Sequence, residues 1–295
     1  MTRLLALVGI VAISFSAIFV RLAEASPVTT ALYRNAFAAP VLVAIWLSVR
    51  RRDERPLGLR LMAGLAGMFL ALDLTLWHNS IEAIGAGLAT VLANTQVLFV
   101  GLIAWAVHRE RPTGLALATV PVVFAGVVLI SGLGRESAYG DDPLAGAALG
   151  VGAGVAYTGF LLLFRASNRR LAPAAGPLLD ATLGAAFGSL LAAGTDGEFT
   201  FALSWEEIGW LLALAMVAQV AGWLLIAEAL PRVPALETSV LLLLQPMLTV
   251  VWGLIIFTER LSAVQWAGVA LVLGGVAVLT LRGSVDRPAE APAEP

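Results

Sequence analysis

Polar side chains interrupt the apolar runs of this sequence at a few places, and these residues have the chemistry to serve a function. The candidates are tryptophan, histidine, tyrosine and amide side chains: Trp77, His78, Asn94, Gln96, Tyr157, Trp223 and Gln245. Amides and ring N–H or O–H groups hydrogen-bond a solute without the desolvation cost of a full charge. We interpret the set as the lining of a cavity for a small amphiphilic molecule.

Each of these residues also has a structural interpretation, which the sequence leaves open. Trp77 at a helix end is typical of an interfacial anchor. His78 titrates near neutral pH, so it fits either a vestibule that senses protons or a position among lipid headgroups. Asn94, Gln96 and Gln245 could instead join helices through hydrogen bonds, which contribute about 0.6 kcal/mol on average in membranes.

Two ionisable residues and one proline in apolar runs are candidates for gating or structural roles. A charge at the bilayer centre costs about 2.5–3.5 kcal/mol, so Arg34 and Asp73 each need a reason to be there. Their similar predicted depth permits a structural ion pair, a site for a substrate carboxylate, or a gate. Pro246 removes a backbone donor and is expected to bend its helix.

The residue types do not support an enzyme, a cofactor-binding protein or a nucleic-acid-binding protein. The chain has 0 cysteines, which excludes thiolate metal sites and cysteine nucleophiles, and it has only 2 histidines. No serine motif or metal-ligand cluster accompanies the histidines. All 18 basic residues are arginines, and they form no basic arm. We expect no enzyme, no cofactor and no bound metal.

The surrounding elements must be membrane helices. The chain is 59% apolar and 13% charged, whereas soluble domains carry about 25% charged residues. A spanning helix needs roughly 20 apolar residues. The sequence predicts an all-α integral membrane protein with ten transmembrane helices: Leu4–Val20, Thr29–Val49, Leu61–Asn79, Ala83–Val107, Thr113–Leu133, Pro143–Phe164, Ala172–Gly194, Trp205–Leu230, Val233–Phe257 and Ser262–Leu281. A secretory signal is the alternative interpretation of the first segment.

A long-range repeat organises these segments into two units. A shift of 149 residues places Gln96 on Gln245, and with it superimposes the pairs Glu110–Glu259, Arg111–Arg260 and Gly126–Gly275. A glutamine followed at a fixed distance by Glu-Arg is unlikely to recur by chance in apolar sequence. We predict two five-helix repeats, 1–133 and 143–282, followed by a disordered cytoplasmic tail, 283–295.

The arginines predict the orientation of the chain. With the N-terminus in the cytoplasm, fourteen arginines fall on the cytoplasmic side and three on the other side. Because each repeat has an odd number of crossings, the second is inverted relative to the first. Inverted repeats are the architecture of alternating-access transporters. Both termini are therefore expected in the cytoplasm.

Two inverted five-helix units with Glu-Arg after the fourth and ninth segments resemble the EamA family of the drug/metabolite transporter superfamily. The stretch from Leu244-Gln245-Pro246 to Glu259-Arg260-Leu261 carries this resemblance, together with Arg34 after Pro27. The resemblance implies a secondary transporter of the bacterial inner membrane that exports small metabolites, above all amino acids with bulky or aromatic side chains. A multidrug or lipid transporter of the same architecture is the alternative. The expected partners are a small-molecule substrate and the bilayer, and the expected state is a monomer or weak homodimer.

Overall fold

The computed structural model of the chain describes residues 2–108, 114–131, 138–168, 173–194, 197–229 and 235–285, and these ranges contain helices and no β-strand. The α-helices are α1 (Thr2–Ser14), α2 (Ser16–Ala23), α3 (Pro27–Val49), α4 (Leu57–Ala93), α5 (Gln96–His108), α6 (Gly114–Ile130), α7 (Pro143–Asn168), α8 (Ala175–Ala193), α9 (Trp205–Ala213), α10 (Trp223–Ala229), α11 (Ala235–Ile256) and α12 (Ala263–Val285). A 3₁₀ turn follows α3 at Arg50–Arg52, and a π-helical segment, Leu214–Gly222, joins α9 to α10. Glu110 and Arg111 lie outside the described residues, as does the predicted tail beyond Val285.

The helices have the length and surface of membrane-spanning elements. Six apolar stretches within the described residues are long enough to cross a bilayer, and three further apolar helices are shorter. Large apolar side chains face outwards, including Phe124, Phe187 and Ile255, which are 68%, 56% and 67% exposed. Such a surface requires lipid as its solvent. The prediction of an all-helical membrane protein is confirmed at this level.

The first predicted segment is two helices joined at Phe15, and it packs into the bundle through Ile10 and Ile18. The joint is tied to α11, because Trp252 Nε1 donates to Ser14 Oγ at 2.9 Å. Thr249 Oγ1 also donates to the Ser14 carbonyl at 3.0 Å. Helices from the two ends of the sequence therefore meet where the first segment bends.

The third predicted segment and the first part of the fourth lie in one interrupted helix, α4, and the rest of the fourth forms α5. The interruption is at Gly85, which has φ 82° and ψ 167°, a backbone conformation that is essentially confined to glycine. A Cβ at this position would lie 2.6 Å from Glu259 Oε1. Gly85 therefore ends one helical half and lets the next begin against a carboxylate from the other end of the chain.

Helices α6 and α12 are repeat mates that pack against each other in antiparallel directions. A Cβ on Gly126 would meet Val272 Cγ2 at 2.8 Å, and one on Gly275 would meet Val123. The 149-residue shift carries each of these contacts onto the other. Reciprocal contacts of this kind are the signature of a two-fold relation.

The centre of the bundle is built around α4, which packs along α7 and α8. α3 packs on α8 and on the π-helical segment, while α1 packs on that segment and on α11. These contacts bring α1, α3, α4, α7, α11 and the π-helical segment around one central space.

Candidate functional site

A cavity of about 300 Å³ lies at the centre of the bundle. Eight of the ten residues predicted for the site line it, and they come from helices of both halves of the sequence: Arg34, Asp73, Trp77, Asn94, Gln96, Tyr157, Trp223 and Gln245. Six of these were predicted as cavity residues, and Arg34 and Asp73 as gating or structural ones. Apolar side chains such as Ile10, Leu70 and Leu161 complete the wall.

Irregular backbone delivers several of these side chains. The chain turns at Asn94 and Thr95 between α4 and α5, so Asn94 and Gln96 face the cavity from the turn and the start of the next helix. Across the cavity, the π-helical segment contributes Gln219. π-Helical turns are frequent at functional sites because they reposition one side chain within a helix. In the sequence Gln219 is an amide in an apolar run, which makes it a weaker candidate for the same lining.

Arg34 is the most unusual residue of the cavity. Its side chain is buried, with the residue 4% exposed, and Nη2 donates to Gln219 Oε1 at 2.9 Å. Gln219 Nε2 in turn donates to Thr182 Oγ1 at 3.4 Å. Arg34 Nε and Nη1 have no hydrogen-bond partner among the described residues. A buried guanidinium is therefore held in place by a neutral amide and keeps unused donors.

Asp73 lines the same cavity, and it does not neutralise Arg34 by direct contact. No ion pair of 4.0 Å or less joins these two residues, both of which lie in the described part of the chain. The direct structural pair considered from the sequence is thus not observed. Among the residues that line the cavity, two further buried polar atoms have no partner in the described part of the chain, the donor Trp77 Nε1 and the acceptor Gln96 Oε1.

The repeat-related glutamines Gln96 and Gln245 both line the cavity. Asn94 is less available, since its Nδ2 donates to the Thr90 carbonyl at 2.8 Å. Aromatic rings form another part of the wall, where Tyr157 and Trp223 both pack against Phe160 with ring centroids 5.4 and 5.9 Å away. The cavity therefore combines a polar group set with a rigid aromatic surface.

Two predicted site residues lie elsewhere. His78 lines a separate cavity of about 230 Å³ near Arg21 and Glu24, and its Nδ1 donates to the Pro27 carbonyl at 3.1 Å. Pro246 lies inside α11 and is not among the residues that line the central cavity. His78 therefore does not line the central cavity, although its ring packs against that of Trp77 with centroids 5.5 Å apart.

Comparison with known proteins identifies the chain. The EamA-like transporter family matches residues 1–132 and again residues 144–281. The chain belongs to the EamA-like transporter family. It is therefore a membrane transporter and not an enzyme, as the resemblance noted in the sequence implied.

Individual relatives agree with this family. The chain is 28% identical over 257 residues to the threonine/homoserine exporter RhtA of Escherichia coli K12, covering 85% of this chain and 79% of RhtA. It is 25% identical over 252 residues to the uncharacterized transporter YwfM of Bacillus subtilis, covering 85% of this chain and 83% of YwfM. A crystal structure with 18% identity shares the fold with a TM-score of 0.62, over 95% of this chain and 98% of that one.

At one end of this EamA-like transporter, Glu259, in the connection between α11 and α12, joins α2 to α4. Its Oε1 accepts from Arg21 Nη1 at 2.7 Å and from the Ala86 N–H at 2.8 Å, and its Oε2 accepts from the Gly87 N–H at 3.3 Å. The carboxylate therefore caps the half of α4 that begins after Gly85. Burial raises the pKa of the Glu259 carboxyl, and the hydrogen bonds from Ala86, Gly87 and Arg21 oppose that rise.

At the opposite end, near the start of α4, a cluster of charges joins α4 to α8. Arg55 Nη2 donates to Asp180 Oδ2 at 2.8 Å, and Arg55 Nε donates to Asp53 Oδ1 at 2.9 Å. Arg60 adds a contact to Asp180 at 3.2 Å. In the sequence Arg55 and Arg60 served only to predict orientation. Their partner lies more than a hundred residues away, and no local pattern indicates it.

Proposed function

We propose that this EamA-like transporter exports amino acids, the bulky or aromatic ones most readily, by alternating access around the central cavity. RhtA, which matches most of the chain, is a threonine/homoserine exporter, and amino-acid export is carried over from that likeness. The aromatic wall formed with Tyr157 and Trp223 supports the preference for a bulky side chain.

The single observation that carries the proposal is the composition of the cavity. It gathers polar groups from both halves of the sequence, including the repeat mates Gln96 and Gln245, and it contains a buried arginine with unused donors. A small cavity with a few convergent polar groups is the usual form of a ligand site. The volume of about 300 Å³ suits a molecule of the size of an amino acid.

We further propose ten crossings arranged as two inverted repeats. The two separate family matches and the reciprocal antiparallel contacts of α6 and α12 support this arrangement. The arginine distribution supports cytoplasmic termini in a bacterial inner membrane, with the protein acting as a monomer or weak homodimer.

The absence of cysteine makes the topology directly testable. Single variants Arg111→Cys and Arg260→Cys are labelled in intact cells with a membrane-impermeant maleimide. We expect labelling of residue 260 from outside and of residue 111 only after permeabilisation. Labelling of both from the same side would overturn the inverted arrangement.

Transport itself is tested with purified protein in liposomes. Radiolabelled L-phenylalanine, L-threonine and a panel of other amino acids are offered, with empty liposomes as the control. We expect saturable flux for a subset that includes L-phenylalanine. Absence of saturable flux for every amino acid would overturn amino-acid export.

Export of lipophilic cations is the second candidate, because Asp73 and the aromatic wall together suit an apolar cation. Arg34 in the same cavity opposes it, since a cationic drug would meet a like charge. Ethidium efflux from cells expressing the chain, without amino-acid flux in liposomes, would favour this alternative.

A further inference from the structure

The cavity holds a buried arginine and a buried aspartate that form no ion pair of 4.0 Å or less with each other, and this geometry supports an inference about the substrate class. We propose that Arg34 binds the carboxylate and Asp73 the ammonium group of an α-amino acid, so that the transporter recognises its substrates as zwitterions. The inference rests on the amino-acid export proposed above, and it specifies which groups of the substrate the cavity recognises.

The donors for the carboxylate come from Arg34. The Gln219 contact holds the guanidinium by Nη2 and leaves Nε and Nη1 without a partner among the described residues. Buried polar groups are nearly always hydrogen-bonded, so unused guanidinium donors at 4% exposure need an explanation. A bound carboxylate can accept both hydrogen bonds and place a negative charge in direct contact with the guanidinium. Trp77 Nε1 is a further unused donor.

The acceptors for the ammonium group come from Asp73 and Gln96. Asp73 is 7% exposed and has no ion-pair partner within 4.0 Å among the described residues. Gln96 Oε1 is a buried acceptor that likewise lacks a partner there. A primary ammonium group has three donors, and one carboxylate with one amide oxygen can accept two of them.

Charge balance explains why both groups of the substrate matter. A zwitterion adds no net charge to the cavity that Arg34 and Asp73 share, while a simple carboxylate adds one negative charge and a simple ammonium adds one positive charge. Sites built from buried polar groups reject analogues that leave those groups unpaired, because the unpaired group keeps its desolvation cost. The aromatic wall then contacts the side chain and contributes little to this charge-based selection.

The test compares L-phenylalanine with three analogues in liposomes that contain the purified wild-type protein. L-Phenylalaninamide lacks the carboxylate, 3-phenylpropionate lacks the ammonium group, and L-tyrosine keeps both. Each competes against exchange of radiolabelled L-phenylalanine. We expect the two incomplete analogues to inhibit at least about 10-fold more weakly than L-tyrosine.

The outcomes separate the two proposals. If L-phenylalaninamide or 3-phenylpropionate competes with radiolabelled L-phenylalanine as well as L-tyrosine does, the transporter does not require both charged groups. Amino-acid export then stands, and this inference is overturned. If no amino acid is exchanged, the proposed function fails first and this inference fails with it.

Variants assign each charge to its group. Asp73→Asn is expected to reduce the ratio of the inhibitory potencies of L-phenylalanine and 3-phenylpropionate. Arg34→Gln is expected to reduce the corresponding ratio for L-phenylalanine and L-phenylalaninamide. A purely structural role would lower all fluxes together and leave these ratios unchanged. Arg51→Gln, at an exposed position, is the matched control and should leave both ratios at wild-type values. If a variant fails to fold, the wild-type analogue panel still decides the question.

Discussion

Arg34 and Arg55 are both buried arginines, but their surroundings differ in charge. Arg55 contacts two carboxylates, Asp53 and Asp180, at 2.9 and 2.8 Å, and only its Nη1 lacks a partner among the described residues. Arg34 contacts the neutral amide of Gln219 and keeps two nitrogens unpartnered. Carboxylates therefore bond directly to the arginine that joins helices, whereas the arginine that lines the cavity bonds directly to a neutral amide.

This difference indicates what each arginine is for. A buried charge that ties helices together must be paired, since an unpaired one is strongly destabilising. A binding site gains affinity when its groups are held in place but not yet satisfied. Arg34 fits the second description, and the predictions below test the contrast between the two regions.

The largest effect is expected from breaking the paired cluster. Asp180→Asn leaves Arg55 with a single carboxylate partner in a buried setting, so the free energy of unfolding should fall by about 3 kcal/mol. Thermal unfolding of the purified protein in detergent measures this change. Glu206→Gln, at an exposed carboxylate, is the control and should shift stability by less than about 0.5 kcal/mol. An unchanged thermal unfolding midpoint for Asp180→Asn would contradict the structural role given to the ion pairs of Arg55.

The converse result is expected in the cavity. Arg34→Gln removes a buried guanidinium that has no ion pair of 4.0 Å or less among the described residues, so the unfolding midpoint should stay at or above the wild-type value. Flux of L-phenylalanine should fall by about 30-fold or more, which corresponds to roughly 2 kcal/mol of lost interaction with the substrate. Wild-type flux, or a loss of stability like that of Asp180→Asn, would make Arg34 a structural residue.

The sequence predicts the contents of the cavity better than its geometry. Polar residues in apolar runs are conspicuous in the sequence. The 149-residue repeat also identifies Gln96 and Gln245 as equivalent positions from the sequence alone. Arg34 and Asp73 stood out because charges are costly in a bilayer. The sequence could not decide whether they pair, because similar depth in a membrane fixes no side-chain distance.

The parts that could not be predicted depend on contacts between distant residues. The partner of Glu259 is Arg21, 238 residues away, and nothing in the local sequence indicates it. The break in α4 has a local signal in Gly85, but a glycine in a membrane helix also fits close packing. His78 had no such signal, and its position in a separate cavity follows from how α4 packs near Pro27.

A smaller effect is expected at the break in α4. Gly85→Ala must place an alanine at φ 82° and a Cβ close to Glu259, so the free energy of unfolding should fall by about 2 kcal/mol. Gly58→Ala is the matched control, since a Cβ there meets nothing within 4 Å in the first turn of the same helix. If both variants keep wild-type thermal midpoints, the strained conformation at Gly85 contributes nothing to stability.

The smallest effect is a pH dependence confined to the paired region. The hydrogen bond from Arg55 lowers the pKa of the Asp53 carboxyl below its ordinary value of 3.8, and a hydrogen bond from Trp46 adds to the shift. Because the unfolded chain then holds the proton more tightly, ionised Asp53 stabilises the fold above pH 3.8. That contribution is lost as the pH falls from 3.8 through the folded-state pKa.

Comparison of wild type with Asp53→Asn isolates this contribution from those of the other carboxylates. We expect the wild type to be more stable by about 1 kcal/mol at pH 6, and the two unfolding midpoints to converge as the pH is lowered below 3.8. Arg34→Gln should leave this pH dependence unchanged, because Arg34 belongs to the cavity and not to the Asp53 cluster. A constant gap between wild type and Asp53→Asn at every pH would mean that Asp53 acts through packing and not through its charge.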